Sequence, residues 1–222
     1  MATTPTGTDR WKVLDFGPPP SDLTEPDQPV LVEYVADERV ARITLNRPHA
    51  DNAITTEMGA RLTEILETIA VRPTIRVAVI TGAGDRAFSV GSDLRQRKGM
   101  TKEDWLRQRQ DFDRTLYTLR QLRKPIFAAV NGVAYGGGSP ALLPRLLPPG
   151  KALQMLMTGD PISAQEAYRL GMVNEVHPQG ELMDAAQRIA EKIASNSPRP
   201  CRRSSGPFAW ARGSRSSRRS RS

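Results

Sequence analysis

Apolar residues recur along this chain with two different periods, and the switching between them predicts its elements. VLVEYV (30–35) and VARITL (40–45) are β-rich runs on either side of Ala36-Asp37-Glu38-Arg39, which predicts a hairpin. Asn46-Arg47-Pro48 breaks the second strand. Over 55–70, Met58, Leu62, Ile65, Leu66 and Ile69 share one helical face, and Arg72-Pro73 ends that helix. IRVAVITG (75–82) is a nearly continuous apolar run, as in a strand buried on both faces. A second helix is predicted from about Thr101 to Leu122, with Trp105, Phe112, Leu116 and Leu119 on one face and Thr101 and Asp104 as a capping pair. IFAAV (126–130) predicts another buried strand. Further on, Ser163 with Glu166 reads as a capping box and Gly171 as a helix stop. MVNEV (172–176) predicts a short strand, and Glu181 to Ala194 a last amphipathic helix with Leu182, Ile189 and Ile193 inward.

Strand, helix, strand, helix, strand in this order predicts an α/β protein with right-handed crossovers between parallel strands. Composition divides the chain further. Residues 1–29 are rich in Pro, Thr and Asp and read as a disordered leader. Residues 30–198 carry the periodic segments, and 199–222 form an Arg/Ser-rich tail without helical periodicity. The net charge of +8 comes from that tail: every charged residue after Pro198 is an arginine, and residues 1–198 are balanced. A basic pI near 10 therefore describes the terminus, not the domain. The single cysteine, Cys201, excludes a disulfide framework and a cysteine-based zinc cluster. No run is long and apolar enough to span a bilayer, and MATTPTGTDRWKVLDFGPPP holds no signal core, so the expected compartment is the cytoplasm.

Two glycine-containing loops follow the apolar strands. Ala87-Phe88-Ser89-Val90-Gly91-Ser92-Asp93-Leu94 follows the first, and Asn131-Gly132-Val133-Ala134-Tyr135-Gly136-Gly137-Gly138 the second. Ligands of open α/β sheets bind beyond the carboxyl ends of strands. Glycines there let a ligand approach the main chain, and two such loops can aim two N–H donors at one oxygen, which is what an oxyanion hole requires. A glycine triplet alone is more often a flexible turn, and no G-x-G-x-x-G dinucleotide fingerprint is present.

The segments ITLNRPHADNAI, VAVITGAGDRAFSVGSDL, KPIFAAVNGVAYGGG and TGDPISAQEAYRLGMVNEV occur in that order. Together they closely resemble the enoyl-CoA hydratase/isomerase (crotonase) family over about residues 30–198. The resemblance implies a crotonase-like spiral of ββα units, assembly as a homotrimer or a hexamer of paired trimers, and an acyl-CoA thioester substrate. Coenzyme A then arrives with the substrate, and no separate cofactor is expected. By motif matching, the backbone N–H groups of Ser92 and Gly137 polarise the thioester carbonyl and stabilise the enolate that develops. A serine where the family commonly has alanine is tolerated there, because the donor is main-chain. The resemblance also marks Ala50, Asp51 and Ala53, in the loop assigned to the CoA nucleotide, together with Gly91, Asp93, Leu94 and Gly138, as substrate-binding.

The chain departs from the family in several places. The resemblance implies two carboxylates that position and deprotonate water in a hydratase. One stands two residues past the glycine triplet, where this chain has Pro140, which carries no titratable group. The other belongs to a stretch this chain lacks: Gly138-Ser139-Pro140 runs directly into ALLPRLLPPGKALQMLMTG, which resembles a segment well downstream. That predicts an incomplete spiral, with a deletion junction near 139–143 and little or no hydratase activity. Pro140, Pro144, Pro148 and Pro149 are expected to leave no helix of useful length there, removing a helix dipole from the oxyanion site and lowering stability. Glu166 and Glu175 read as a capping residue and a strand-end charge, not as replacement acids. His49 and His177 read as loop residues, with no metal-ligand spacing. Asp51 stands where relatives often carry leucine or a base, and its carboxylate is expected to weaken contact with the CoA phosphates.

Two non-enzymatic readings stand beside this one. The chain could be a truncated, inactive acyl-CoA-binding relative, or an RNA-binding protein using its basic tail, since eight arginines give nonspecific phosphate affinity. Placement of the charge on the terminus and not on the domain argues against the second. The abrupt break at Pro198 favours out-of-frame translation of a GC-rich gene as the origin of the tail.

Overall fold

The computed structural model describes residues 27–136 and 139–196; the leader through residue 26, Gly137, Gly138 and the tail from 197 lie outside the described residues. The predicted hairpin forms from β1 (Val30–Val35) and β2 (Val40–Leu45), paired antiparallel with Val30 opposite Leu45 and Val35 opposite Val40. β2 then runs parallel to β3 (Val77–Gly82), and β3 parallel to β5 (Ile126–Ala128), giving the order β1-β2-β3-β5. A second, smaller sheet pairs β4 (Ala87–Ser89) in parallel with β6 (Val133–Ala134). The strands thus come along the chain in successive pairs, each pair followed by helix: β1-β2 by α1 (Thr56–Val71), β3-β4 by α2 (Leu94–Arg97) and α3 (Lys102–Gln121), β5-β6 by α4 (Ser139–Leu146). This repetition is the ββα spiral that the resemblance implies.

Strand alternation sorts the core into two layers. Ala41, Ile43, Leu45 and Ala78 face Met58, Ile65, Leu66 and Ile69 of α1. Val40, Val77 and Val79 point to the other face. There they meet Ala186, Ala190 and Ala194 of α7 (Leu182–Ser195), with Leu182 and Ile193 half-buried around them and Ile189 also half-buried. The close face of α7 is therefore an alanine stripe, with the larger aliphatics at its margins. The end of α1 is closed by Lys124, a buried lysine whose ammonium donates to the carbonyls of Ile69, at 2.6 Å, and of Arg72. A cation is favourable at that end of a helix.

Three expectations are corrected. IFAAV is not a buried strand: β5 spans three residues, is half-buried to exposed, and forms one edge of the large sheet. Only Ala129, just beyond it, is buried with the apolar core. MVNEV forms no strand; residues 172–176 run as bends and irregular chain after the Gly171 stop, where φ is +74°. The prolines do not abolish helix after the glycine triplet, because α4 forms and α5 (Pro149–Thr158) follows. Pro140 lies in the first turn of α4 and Pro149 opens α5, positions whose N–H has no intrahelical acceptor anyway. Pro148 is the cap of α5, and only Pro144 lies inside a helix. A proline at a helix start removes no bond, so the spacing shortens the helices without preventing them.

Candidate active site

The two glycine loops converge. Gly91 and Gly136 both adopt left-handed backbone, with φ of +84° and +89°. A Cβ on Gly91 would lie 3.0 Å from the Tyr135 carbonyl oxygen, and one on Gly136 would lie 3.1 Å from the Gly91 Cα. No side chain fits between the loops, which explains glycine at both positions. Pairing of β4 with β6 brings them together, and the Tyr135 N–H donating to the Ser89 carbonyl at 2.9 Å continues the contact.

Ser92 follows Gly91 in an isolated parallel bridge to Ile54. The Ile54 N–H donates to the Gly91 carbonyl at 2.7 Å, and the Asp93 N–H donates to the Ile54 carbonyl at 2.9 Å. In such a bridge the middle residue's own N–H and carbonyl point away from the partner strand. The neighbouring amides are engaged, Val90 with the Asp51 carbonyl at 3.2 Å and Gly91 with the Ser89 hydroxyl at 3.2 Å. Among the described residues, none accepts from the Ser92 N–H. Gly137 and Gly138, the other predicted contributors, lie outside the described residues.

Three side chains hold this backbone, none of them marked as functional by its sequence pattern. Asn52 is fully buried; its Oδ1 accepts from the Arg47 N–H at 2.9 Å, and its Nδ2 donates to the carbonyls of Ala83 (3.0 Å) and Ala87 (2.8 Å). Its own carbonyl accepts from the Ser89 hydroxyl at 2.8 Å. Asn131 does the equivalent for the second loop: its Nδ2 donates to the carbonyls of Gly82 (2.8 Å) and Gly84 (2.7 Å), and its Oδ1 accepts from the Gly82 N–H at 3.1 Å. Arg47 donates to the Ala53 carbonyl at 2.8 Å and to Asp93 Oδ2 at 2.9 Å. The only signals for them in the sequence are their positions inside the quoted motifs, where Asn46-Arg47-Pro48 reads as a strand breaker.

The predicted site residues take different places around this frame. Asp93 is buried; its Oδ1 accepts from the N–H groups of Arg95 and Gln96, so it caps α2. The Arg47 hydrogen bond, ahead of those amides, holds its carboxyl below the usual carboxylate range against the opposing effect of burial. Asp93 is thus committed to the scaffold. Leu94, the next residue, is 73% exposed. Ala50 is half-buried in a 3-10 turn, Pro48–Ala50, and Ala53 is buried. Asp51 has φ of +49° and pairs with Arg86 at 3.1 Å, beside a small cleft that also involves Pro48 and Gly84. Glu166 binds Arg169 through both carboxylate oxygens, at 2.7 and 2.8 Å, which lowers its pKa. Its backbone N–H donates at 3.1 Å to the hydroxyl of Ser163, which caps α6 (Ala164–Arg169). Glu175 pairs with His177 at 2.8 Å on the surface. No cluster of metal-ligating side chains occurs among the described residues.

The family model described as enoyl-CoA hydratase/isomerase matches residues 36–142 and 138–205. The (E)-benzylidenesuccinyl-CoA hydratase of Thauera aromatica is 36% identical over 205 residues, covering 77% of this chain and 78% of that protein. A carnitinyl-CoA dehydratase of Escherichia coli is 35% identical over 195 residues, covering 72% of each. The crystal structure of an enoyl-CoA hydratase from Bacillus anthracis superposes with a TM-score of 0.75 at 32% identity, covering 80% of this chain and 81% of that one.

Proposed function

The chain belongs to the enoyl-CoA hydratase/isomerase family, which acts on CoA thioesters, and from that premise we propose that it binds an acyl-CoA and stabilises the thioester enolate between the N–H groups of Ser92 and Gly137. The observation that carries this reading is the close approach of Gly91 to Gly136, beside a Ser92 N–H turned away from its bridge partner. Fixed N–H dipoles in a site shielded from water stabilise a developing oxyanion strongly; losing one such donor typically costs about 10²–10³ in rate. Hydration of a 2-enoyl-CoA, or a double-bond shift, is the reaction such a site serves. CoA enters as part of the substrate, and no resident cofactor takes part.

In this chain the enolate-stabilising half of that chemistry is separated from the proton-transfer half. Pro140 stands at the matched position of one carboxylate, and the segment that would supply the other is deleted. The family model supports a junction there, because it matches in two stretches that overlap at 138–142. We extend the family's trimeric or paired-trimer assembly and a cytoplasmic setting to this chain on the same footing; no helix among the described residues is long and apolar enough to cross a membrane.

The test is acetoacetyl-CoA, whose enolate absorbs in the near ultraviolet. An oxyanion hole lowers the pKa of the bound ketothioester and produces that band without any acid/base carboxylate. The expected result is an enolate band on mixing, together with a raised melting temperature, since a ligand of the folded state alone must stabilise it. Absence of both changes at saturating ligand overturns the reading.

A further inference from the structure

We infer that Gln108 fixes the position of the Ser92 loop by tethering α2, the helix of four residues that follows it; what this does for substrate rests on the role proposed for Ser92.

So short a helix is not stable alone, since nucleation is unfavourable and one turn gains little. α2 also has no apolar anchor: none of its residues is buried, and Leu94 projects into solvent. Polar contacts must hold it. At its start, Asp93 provides the cap and is itself held by Arg47.

At its end, the contacts centre on Gln108 of α3, which is only 3% exposed although it is an amide on a helix face. Its Nε2 donates to Gln96 Oε1 at 3.0 Å and to Thr56 Oγ1 at 3.1 Å, and its Oε1 accepts from Arg97 Nε at 3.0 Å. Both donors and the acceptor of the amide are used, two of the three toward α2. Gln96 Oε1 in turn accepts from the Thr56 N–H at 3.0 Å, one of the orphan donors at the start of α1. Gln108 therefore joins α2, α1 and α3 at one point. A buried network satisfied in this way fixes geometry, whereas an apolar side chain of the same size would leave Gln96 and Arg97 to water.

The experiment uses the full chain and two variants, Gln108→Met, which keeps volume and removes all three bonds, and Gln96→Ala, an exposed position that removes the Gln96 contacts with Gln108 and Thr56 and leaves that of Arg97. Amide hydrogen exchange over 92–98 is measured beside that of α1 and β3, and the enolate fraction of bound acetoacetyl-CoA beside the melting temperature. The expected result is about tenfold faster exchange at 92–98 with β3, and α1 beyond its first turn, unchanged, as for loss of local hydrogen bonds. The enolate fraction at fixed pH is expected to fall about tenfold with saturation retained, as for a misplaced oxyanion donor. Unchanged exchange at 92–98 in both variants overturns the inference, and so does faster exchange spread evenly over the chain. If Gln108→Met does not fold, Gln96→Ala decides alone. If exchange responds as expected but the unsubstituted chain gives no enolate band, the tether stands and the functional reading falls.

Discussion

Gly91 and Gly136 stand against each other main chain to main chain, each within 3.5 Å of where the other's Cβ would be. Both have positive φ, so alanine at either position costs roughly 1–2 kcal/mol of backbone strain before any clash. Gly91→Ala also drives a methyl to 3.0 Å from the Tyr135 carbonyl and parts the loops. The expected outcome is loss of the acetoacetyl-CoA enolate band with a melting temperature lowered by only about 3–6 °C. A folded Gly91→Ala variant with an undiminished band would show that the loops need not touch for the site to work.

Asp93 predicts an acid-dependent stability. Its folded-state pKa is lowered, chiefly by Arg47, so the carboxylate contributes stability that is fully present above its unfolded value of about 3.9 and is lost as pH falls through the folded value. Asp93→Asn keeps the cap on α2 but removes the ion pair, and is expected to destabilise by about 2 kcal/mol at pH 7. The difference in melting temperature between the two proteins should be flat from pH 7 to about 5 and shrink below about 4. A difference that stayed constant down to pH 2 would assign the effect to packing.

The hairpin, the two long helices and the buried β3 were legible because their side chains carry the period of the element. So were the two loops, because Gly91 and Gly136 sit at strand ends. What failed was context. IFAAV has the composition of a central strand, yet nothing in five residues says that β5 ends the large sheet. MVNEV has strand propensity but pairs with no strand among the described residues. In α3, Trp105 is 41% exposed while Gln108 and Thr115 are buried, and the face toward α1 carries a polar seam beside Phe112 and Leu119. There Thr115 Oγ1 and Thr63 Oγ1 are hydrogen-bonded to each other at 2.9 Å, and both lie within hydrogen-bond distance of the Gly59 carbonyl oxygen. Hydrophobic periodicity cannot reveal a seam built from amides and hydroxyls. Arg47, Asn52 and Asn131 escaped for a related reason: they satisfy backbone groups that only the folded loops expose.

Asn52 is the clearest of these. It is fully buried, has φ of +53° and makes three side-chain hydrogen bonds to main chain. Asn52→Ala leaves one N–H and two carbonyls with a partner lost and puts alanine into left-handed backbone. The expected cost is about 3–4 kcal/mol, or roughly 10 °C in melting temperature. A loss under about 1 kcal/mol by denaturant titration would mean that water replaces the amide.

Asp51 and Arg86 predict a salt-dependent effect on affinity. Their 3.1 Å pair keeps a carboxylate beside the loop proposed to receive the CoA nucleotide and engages a cation that is otherwise 78% exposed. Asp51→Ala removes the repulsion and frees Arg86. Acyl-CoA binding is expected to tighten several-fold at low ionic strength, with the gain fading as salt shortens the Debye length toward about 3 Å at 1 M. Calorimetric titration at two salt concentrations checks it, and equal affinities in both proteins would place the phosphates elsewhere.

The acid/base pair proposed to be missing gives a separable prediction. A positioned carboxylate contributes about 10²–10⁴ to a proton-transfer step, and the matched position here is Pro140. The chain should therefore form enolate from acetoacetyl-CoA while hydrating a 2-enoyl-CoA at least about a hundredfold more slowly than an enzyme with both groups. Pro140→Glu restores one carboxylate at most. It cannot supply the second, and water held by a single group still lacks the partner that completes the transfer. The substituted chain should keep its enolate band and gain no hydration, followed as loss of the enoyl thioester absorbance. Rapid hydration by the unsubstituted chain would show that another carboxylate has taken the role. Recovery in Pro140→Glu alone would show that one group suffices and that no second carboxylate from the segment proposed to be deleted is needed.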